Sequence, residues 1–139
     1  MRVALHPASG PDVWLAGDPS KSEREHSSAA NIRLSGRIQT QAVEKVRANN
    51  AGIFDRKNLI ETLTFSTVRK FDTAAEAEDW SLTYNAAMPR TGDAILQTIT
   101  PGGGVSTRTM GNVVVMPPTR VVTGCSVELN YEITGGPIA

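Results

Sequence analysis

The run from Leu59 to Pro89 constrains this chain most, because two different hydrophobic periods meet in it. In LIETLTFSTVRKF, Leu59, Leu63 and Phe65 share one parity and Thr62, Thr64 and Ser66 the other, the two-residue period of a half-buried strand. TAAEAEDWSLTYNAAMP follows, with Thr73 and Glu76 at capping-box spacing, so a helix is predicted over about 73–88. Ala77, Trp80, Ser81, Tyr84 and Met88 recur every three or four residues and form its inner stripe, leaving Glu76, Glu78, Asp79 and Asn85 outside. Pro89 and Gly92 end it. Trp80 and Tyr84 are expected to anchor the helix to a sheet rather than to stack on a ligand.

Alternation continues on both sides of this unit. Ile32, Leu34, Ile38 and Ala42 share a parity, which reads as a long strand or hairpin arm, with Gly36 marking a bulge or bend. Asn49, Asn50 and Gly52 then predict a turn, with a short helix over 41–48 as the competing reading. Beyond the helix, RTGD predicts a turn and AILQTIT a strand. PGGG reads as a hairpin turn, because it lacks the GK[ST] ending of a phosphate loop. Pro117 and Pro118 break a strand from the next one. In CSVELNYEITGG, Cys125, Val127, Leu129, Tyr131 and Ile133 are assigned to the core, and Glu128 and Glu132 to the solvent face.

Residues 1–31 read differently. Two short extended pieces, Val3–Leu5 and Val13–Ala16, stand among Pro7, Pro11, Pro19 and a polar SKSEREHSS run. This predicts an extended N-terminal arm ordered only by the surface it lies on, ahead of a single domain over 32–139. Trp14 either tucks onto the arm's own domain or anchors a neighbouring subunit, and on the second reading Val13, Trp14 and Leu15 are the arm's candidate contact residues.

Composition narrows the function classes. Lys plus Arg and Asp plus Glu are both 14, and this null net charge removes the attraction that drives non-specific nucleic-acid binding, so no nucleic-acid partner is expected. No apolar run approaches the ~20 residues of a membrane span and no signal-peptide pattern opens the chain, so a soluble, unexported protein made in the cytoplasm is expected. One cysteine and two histidines supply neither a disulfide nor a zinc set, and no cofactor or metal is expected. No nucleophile elbow, HExxH motif or carboxylate pair at a catalytic spacing is present, so an enzyme is not expected.

These elements predict a mainly β (α+β) fold, an antiparallel β-sandwich of about six to eight strands with one packed helix. The run LTFSTVRKFDTAAEAEDWSLTYNAAMPRTGDAIL and the terminal VELNYEITGG resemble short proteins from the tail modules of tailed bacteriophages and prophages. In those proteins a strand leads into an Ala- and Glu-rich helix, a P-R-T/S-G turn, several strands and a closing Y-x-I-T/x-G-G strand. The resemblance covers roughly residues 59–138 and carries no catalytic residue. It implies a structural virion component of the tail-tube, tail-terminator or distal-tail type, assembling as a ring with copies of itself and with other tail proteins. On that reading Trp14, Val13, Leu15, Glu128 and Glu132 are the candidate interface residues. The alternative is a monomeric β-sandwich module binding a carbohydrate or peptide, which needs exposed aromatic faces.

Overall fold

The computed structural model describes residues 1–44 and 51–139, with side chains outside 37–59 and 85–87. The strands are β1 (Arg2–His6), β2 (Val13–Ala16), β3 (Ala30–Glu44), β4 (Ala51–Lys70), β5 (Thr91–Ile99), β6 (Val105–Val115), β7 (Thr119–Thr123) and β8 (Ser126–Gly135). Among the described residues there is one helix, α1 (Ala74–Ala87), between β4 and β5. All pairings are antiparallel and the sheet order is β2-β1-β5-β6-β8-β4-β3, with β7 beside the first half of β8. The fold is mainly β with one helix, as predicted, and the expected sandwich takes the form of one sheet curled onto itself.

That curl comes from the segment leading into β3. Ser27 N donates to Val68 O and Lys70 N to Glu25 O, so residues 25–27 take the place beside β4 that β3 has left. On its other side the same segment meets the far end of the sheet, where Gly17 N donates to Ser27 O at 2.9 Å and Ala29 N to Met1 O at 2.8 Å. A sheet of this many twisted strands gains by closing, since closure removes edges that would otherwise stand open.

Side chains of one parity fill the interior. Val3 and Leu5 of β1, Leu15 of β2, Leu63 and Phe65 of β4, Leu96 of β5, Met110 and Val115 of β6, and Val127, Leu129, Tyr131 and Ile133 of β8 are all buried. From Val127 to Ile133 the closing strand keeps its predicted alternation, with Leu63, Phe65 and Thr67 of β4 facing Ile133, Tyr131 and Leu129. The helix packs against β7 and β8. Thr73 caps it, its side chain accepting from Glu76 N, and Ala77 and Ser81 are buried while Trp80, Tyr84 and Met88 pack at the margin of the core. Trp80 meets Phe71 and Tyr84 at ring distances of 5.4 and 4.5 Å, and the Tyr84 and Tyr131 hydroxyls hydrogen-bond to each other.

Several expectations need correction. Residues 1–31 are not an arm outside a 32–139 domain: β1 lies between β2 and β5, and Val3 and Leu5 are wholly buried. The short apolar pieces were too brief to predict a core strand, but sheet pairing on both sides of β1 offsets its low local propensity. Cys125 is exposed in a two-residue turn with Gly124, because the β7–β8 hairpin closes at Thr123 and Ser126 and leaves Cys125 one residue short of the ladder. The RTGD stretch belongs to β5 from Thr91 onward. There Gly92 approaches β1 so closely that a Cβ would lie 2.2 Å from His6 O, at a φ of +152 that also disfavours a side chain. The register irregularities of β3 fall between Ala30 and Arg33 and between Ile38 and Thr40, not at Gly36. Gln41–Glu44 and Gly52 are strand, which displaces the alternative helix there, and the turn expected at Asn49 and Asn50 lies outside the described residues. The PGGG turn is present, with Thr100 N donating to Gly104 O.

Candidate assembly surface

Three features of the fold leave backbone, apolar or charged surface uncovered. The first is the β3–β4 hairpin. β4 pairs with β8 only from Glu61 onward, whereas β3 pairs with β4 down to Glu44 opposite Ala51. Residues 51–60 of β4 therefore extend about 30 Å past the rest of the sheet at ~3.3 Å per residue, with β3 as their one partner among the described residues. A lone two-stranded ribbon is marginally stable at best in water.

The second feature is a pair of uncovered edges. β3 bonds only to β4 and β7 only to β8 among the described residues. The β2 edge, by contrast, is short and covered, for Leu15 O accepts from His26 Nε2 and Gly17 N is used by Ser27 O. Both uncovered edges carry exposed apolar side chains. Ile32 and Leu34 on β3 are 46% and 52% exposed, and Val121 on β7 is 47% exposed. Leu34 stands opposite Leu63, which stands opposite Ile133, so this is one row across the inner face of the sheet. The row is dry at Leu63 (2% exposed) and wet at Leu34 because the sheet has no further strand there. A hollow of about 380 Å³ opens at this point, walled by Ile32, Leu34 and Leu63 on one side and by Leu96, Ile138 and Met1 on the other.

The third feature is outward charge. Glu128 and Glu132 on β8 are exposed as predicted. Glu128 neighbours Val121 across the β7–β8 pair, and the outer face of β3 presents exposed Arg33. Arg33 lies in a shallow depression with Thr64 and Glu132, two strands apart in the same row. Among the described residues the ion pair that forms is elsewhere, between His6 Nδ1 and Asp12 Oδ1. The Asp12 carboxylate raises the His6 pKa, first through that hydrogen bond and then through its charge.

The residues expected at an interface are dispersed. Glu128 and Glu132 face solvent on β8. Val13 and Trp14 are half-buried on β2, Val13 lining a hollow under α1 with Trp80, Tyr84 and Met88. Leu15 is wholly buried, which removes it as a surface residue. The residues missed by sequence reasoning are Ile32, Leu34 and Val121. The alternation of Ile32 and Leu34 is legible in the sequence but is the same as that of a core strand, and the adjacent Val121 and Val122 show no alternation.

No family model matches the sequence, and no curated protein does. Among solved structures, the chain is similar to one from the tail of an empty GTA particle, computed with helical refinement in C6 symmetry. That likeness has 15% identity and a TM-score of 0.39, over 99% of this chain and 92% of that one. Among the described residues no helix is long and apolar enough to cross a membrane.

Proposed function

We propose that this chain is a structural, non-catalytic subunit of a bacteriophage-type tail, which self-associates into a ring or tube with the β3–β4 hairpin and the β3 and β7 edges as its contact elements. The observation that carries the reading is the projecting hairpin, whose outer ten β4 residues pair with β3 alone among the described residues. Such a ribbon gains stability from a second molecule. Two different uncovered edges on one chain favour head-to-tail contact, which closes into rings or continues into tubes. Arg33 is exposed on the β3 edge strand and Glu128 on β8, one strand in from the β7 edge, so joining unlike edges brings charges of opposite sign to the same seam. The resemblance of residues 59–138 to tail-module proteins points the same way. A carbohydrate- or peptide-binding monomer has less support, since the Trp80 ring is packed against those of Phe71 and Tyr84.

Half-exposed Leu34 and Val121 tolerate lysine in the monomer, so Leu34→Lys and Val121→Lys each disable one edge. Light scattering and electron microscopy are expected to find rings or tubes for the parent chain and monomers for either variant. An equimolar mixture of the two variants is expected to stop at a dimer, since each retains one working edge. A parent chain that stays monomeric at high concentration refutes assembly; variants that assemble alone refute the edges.

A further inference from the structure

The line along which the sheet closes is held unevenly, and a histidine sits on its weaker side. Toward β4, residues 25–27 are tied by Ser27 N to Val68 O, by Lys70 N to Glu25 O, and by Val68 N to Ser27 Oγ at 2.8 Å. Thr67 Oγ1 adds a bond to Ser27 O at 2.6 Å. Toward β1 and β2, the backbone bonds are those from Gly17 N to Ser27 O and from Ala29 N to Met1 O. The third tie on that side is His26 Nε2, 3.2 Å from Leu15 O.

His26 is 2% exposed, and its contact with a carbonyl places the proton of the neutral ring on Nε2. Nδ1 is then the bare nitrogen, and it is buried with no hydrogen-bond partner among the described residues. Protonation adds a second N–H at Nδ1, where there is no acceptor, and a positive charge in a dry place. The charged groups that face the ring are Arg69 of β4, and Asp18 and Lys21 of the link after β2. Two of the three repel an imidazolium. Asp18 Oδ1 already accepts from Ser20 N and Ser20 Oγ.

We propose that His26 is a pH-dependent clasp: neutral, it pins the β1–β2 pair to residues 25–29, and protonated, it releases that pair, so the closed sheet opens along this line while β1 stays on β5. The five-residue register between β1 and β5, Arg2 opposite Gln97 to His6 opposite Asp93, is untouched by the histidine. Opening therefore frees the edge of β2 and the edge of residues 25–29 without unfolding the chain. Burial, and then the charge of Arg69, lowers the His26 pKa below the usual 6.5. A pKa lower in the closed form than in the open form makes closure most stable above pH 6.5 and weakens it as pH falls below that value. This inference does not depend on whether the chain assembles.

The test is amide hydrogen exchange on the full chain at pH 7 and pH 5, corrected for the intrinsic pH dependence of exchange. The Gly17 and Ala29 amides report the weak side, and the Ser27 and Lys70 amides report the side tied to β4. Protection at Gly17 and Ala29 is expected to be lost in part at pH 5 relative to pH 7, while Ser27 and Lys70 keep theirs. His26→Gln keeps a donor for Leu15 O and cannot titrate, so its protection pattern is expected to be the same at both pH values. Equal loss in His26→Gln, or no loss in the parent chain, overturns the proposal. If His26→Gln does not fold, the imidazole titration of the parent chain by NMR decides. A midpoint below 6.5 that tracks the loss of protection supports the clasp, and a midpoint that does not track it overturns it.

Discussion

Leu15→Ala separates a core strand from an interface arm in a single measurement. Leu15 lies on β2, wholly buried within its own chain, in one cluster with Val3 and Leu5 of β1 and Ala16 of β2. Truncation to alanine removes buried methyl and methylene groups and leaves a cavity that neighbours on a paired strand cannot fill by moving. Buried leucines in such settings cost about 2.7 to 5 kcal/mol. The upper half of that range is expected here, because the ladder to β1 holds the backbone of β2 in place: Val13 faces Leu5, Trp14 faces Ala4 and Ala16 faces Val3. With a urea slope of about 2 kcal/mol/M, the unfolding midpoint is expected to fall by roughly 2 to 2.5 M. Circular dichroism during a urea titration at a concentration too low for assembly reads this directly. A variant with an unchanged midpoint and weakened association would place Leu15 between subunits and refute the placement of β2 in the core. The same logic applies to deletion of residues 1–28. It removes β1 and β2 with Val3, Leu5 and Leu15, and strips β5 of one of its two partners. That loss exceeds the roughly 5 to 15 kcal/mol by which a domain of this size is stable, so the truncated chain is expected to be unfolded.

Three shorter tests address other parts of the fold. Trp80→Ala is expected to cost roughly 2 to 4 kcal/mol in the same titration, because the ring is only partly buried but packs on Phe71 and Tyr84 and lies 5.0 Å beneath the Arg69 guanidinium; an unchanged midpoint would detach the helix from the sheet. Cys125 is exposed in its turn, so a thiol reagent is expected to label the native protein at the rate of a small peptide thiol, and Cys125→Ala is expected to stay within about 0.5 kcal/mol of the parent; slow labelling would return the thiol to the core. Burial raises the pKa of Tyr84 above 10, and burial together with Tyr84 raises that of Tyr131 well above it. Both pKa values are higher folded than unfolded, so the stability they contribute is complete below pH 10 and is lost as pH rises beyond it. Absorbance of tyrosinate is expected to appear together with unfolding, and normal titration of both tyrosines in the folded chain would remove the buried hydroxyl pair.

Where a local period and its physical cause lie within one stretch of chain, the sequence alone determined the outcome. The cap at Thr73, the inner stripe from Ala77 to Met88, the alternation of Val127, Leu129, Tyr131 and Ile133, and the PGGG turn all follow from backbone geometry and hydrogen bonding over a few residues. What lay beyond it depended on partners distant in the chain. Val3 and Leu5 are core because β5 and β2 flank them, and Cys125 is in a turn because the β7–β8 hairpin closes one residue beyond it. The same alternation is dry at Leu63 and wet at Leu34 because β3 is the last strand of the sheet. Alternation records which side chains share a face. Whether that face is covered, by the chain itself or by a second copy, is decided by the order of the strands, which no local pattern encodes.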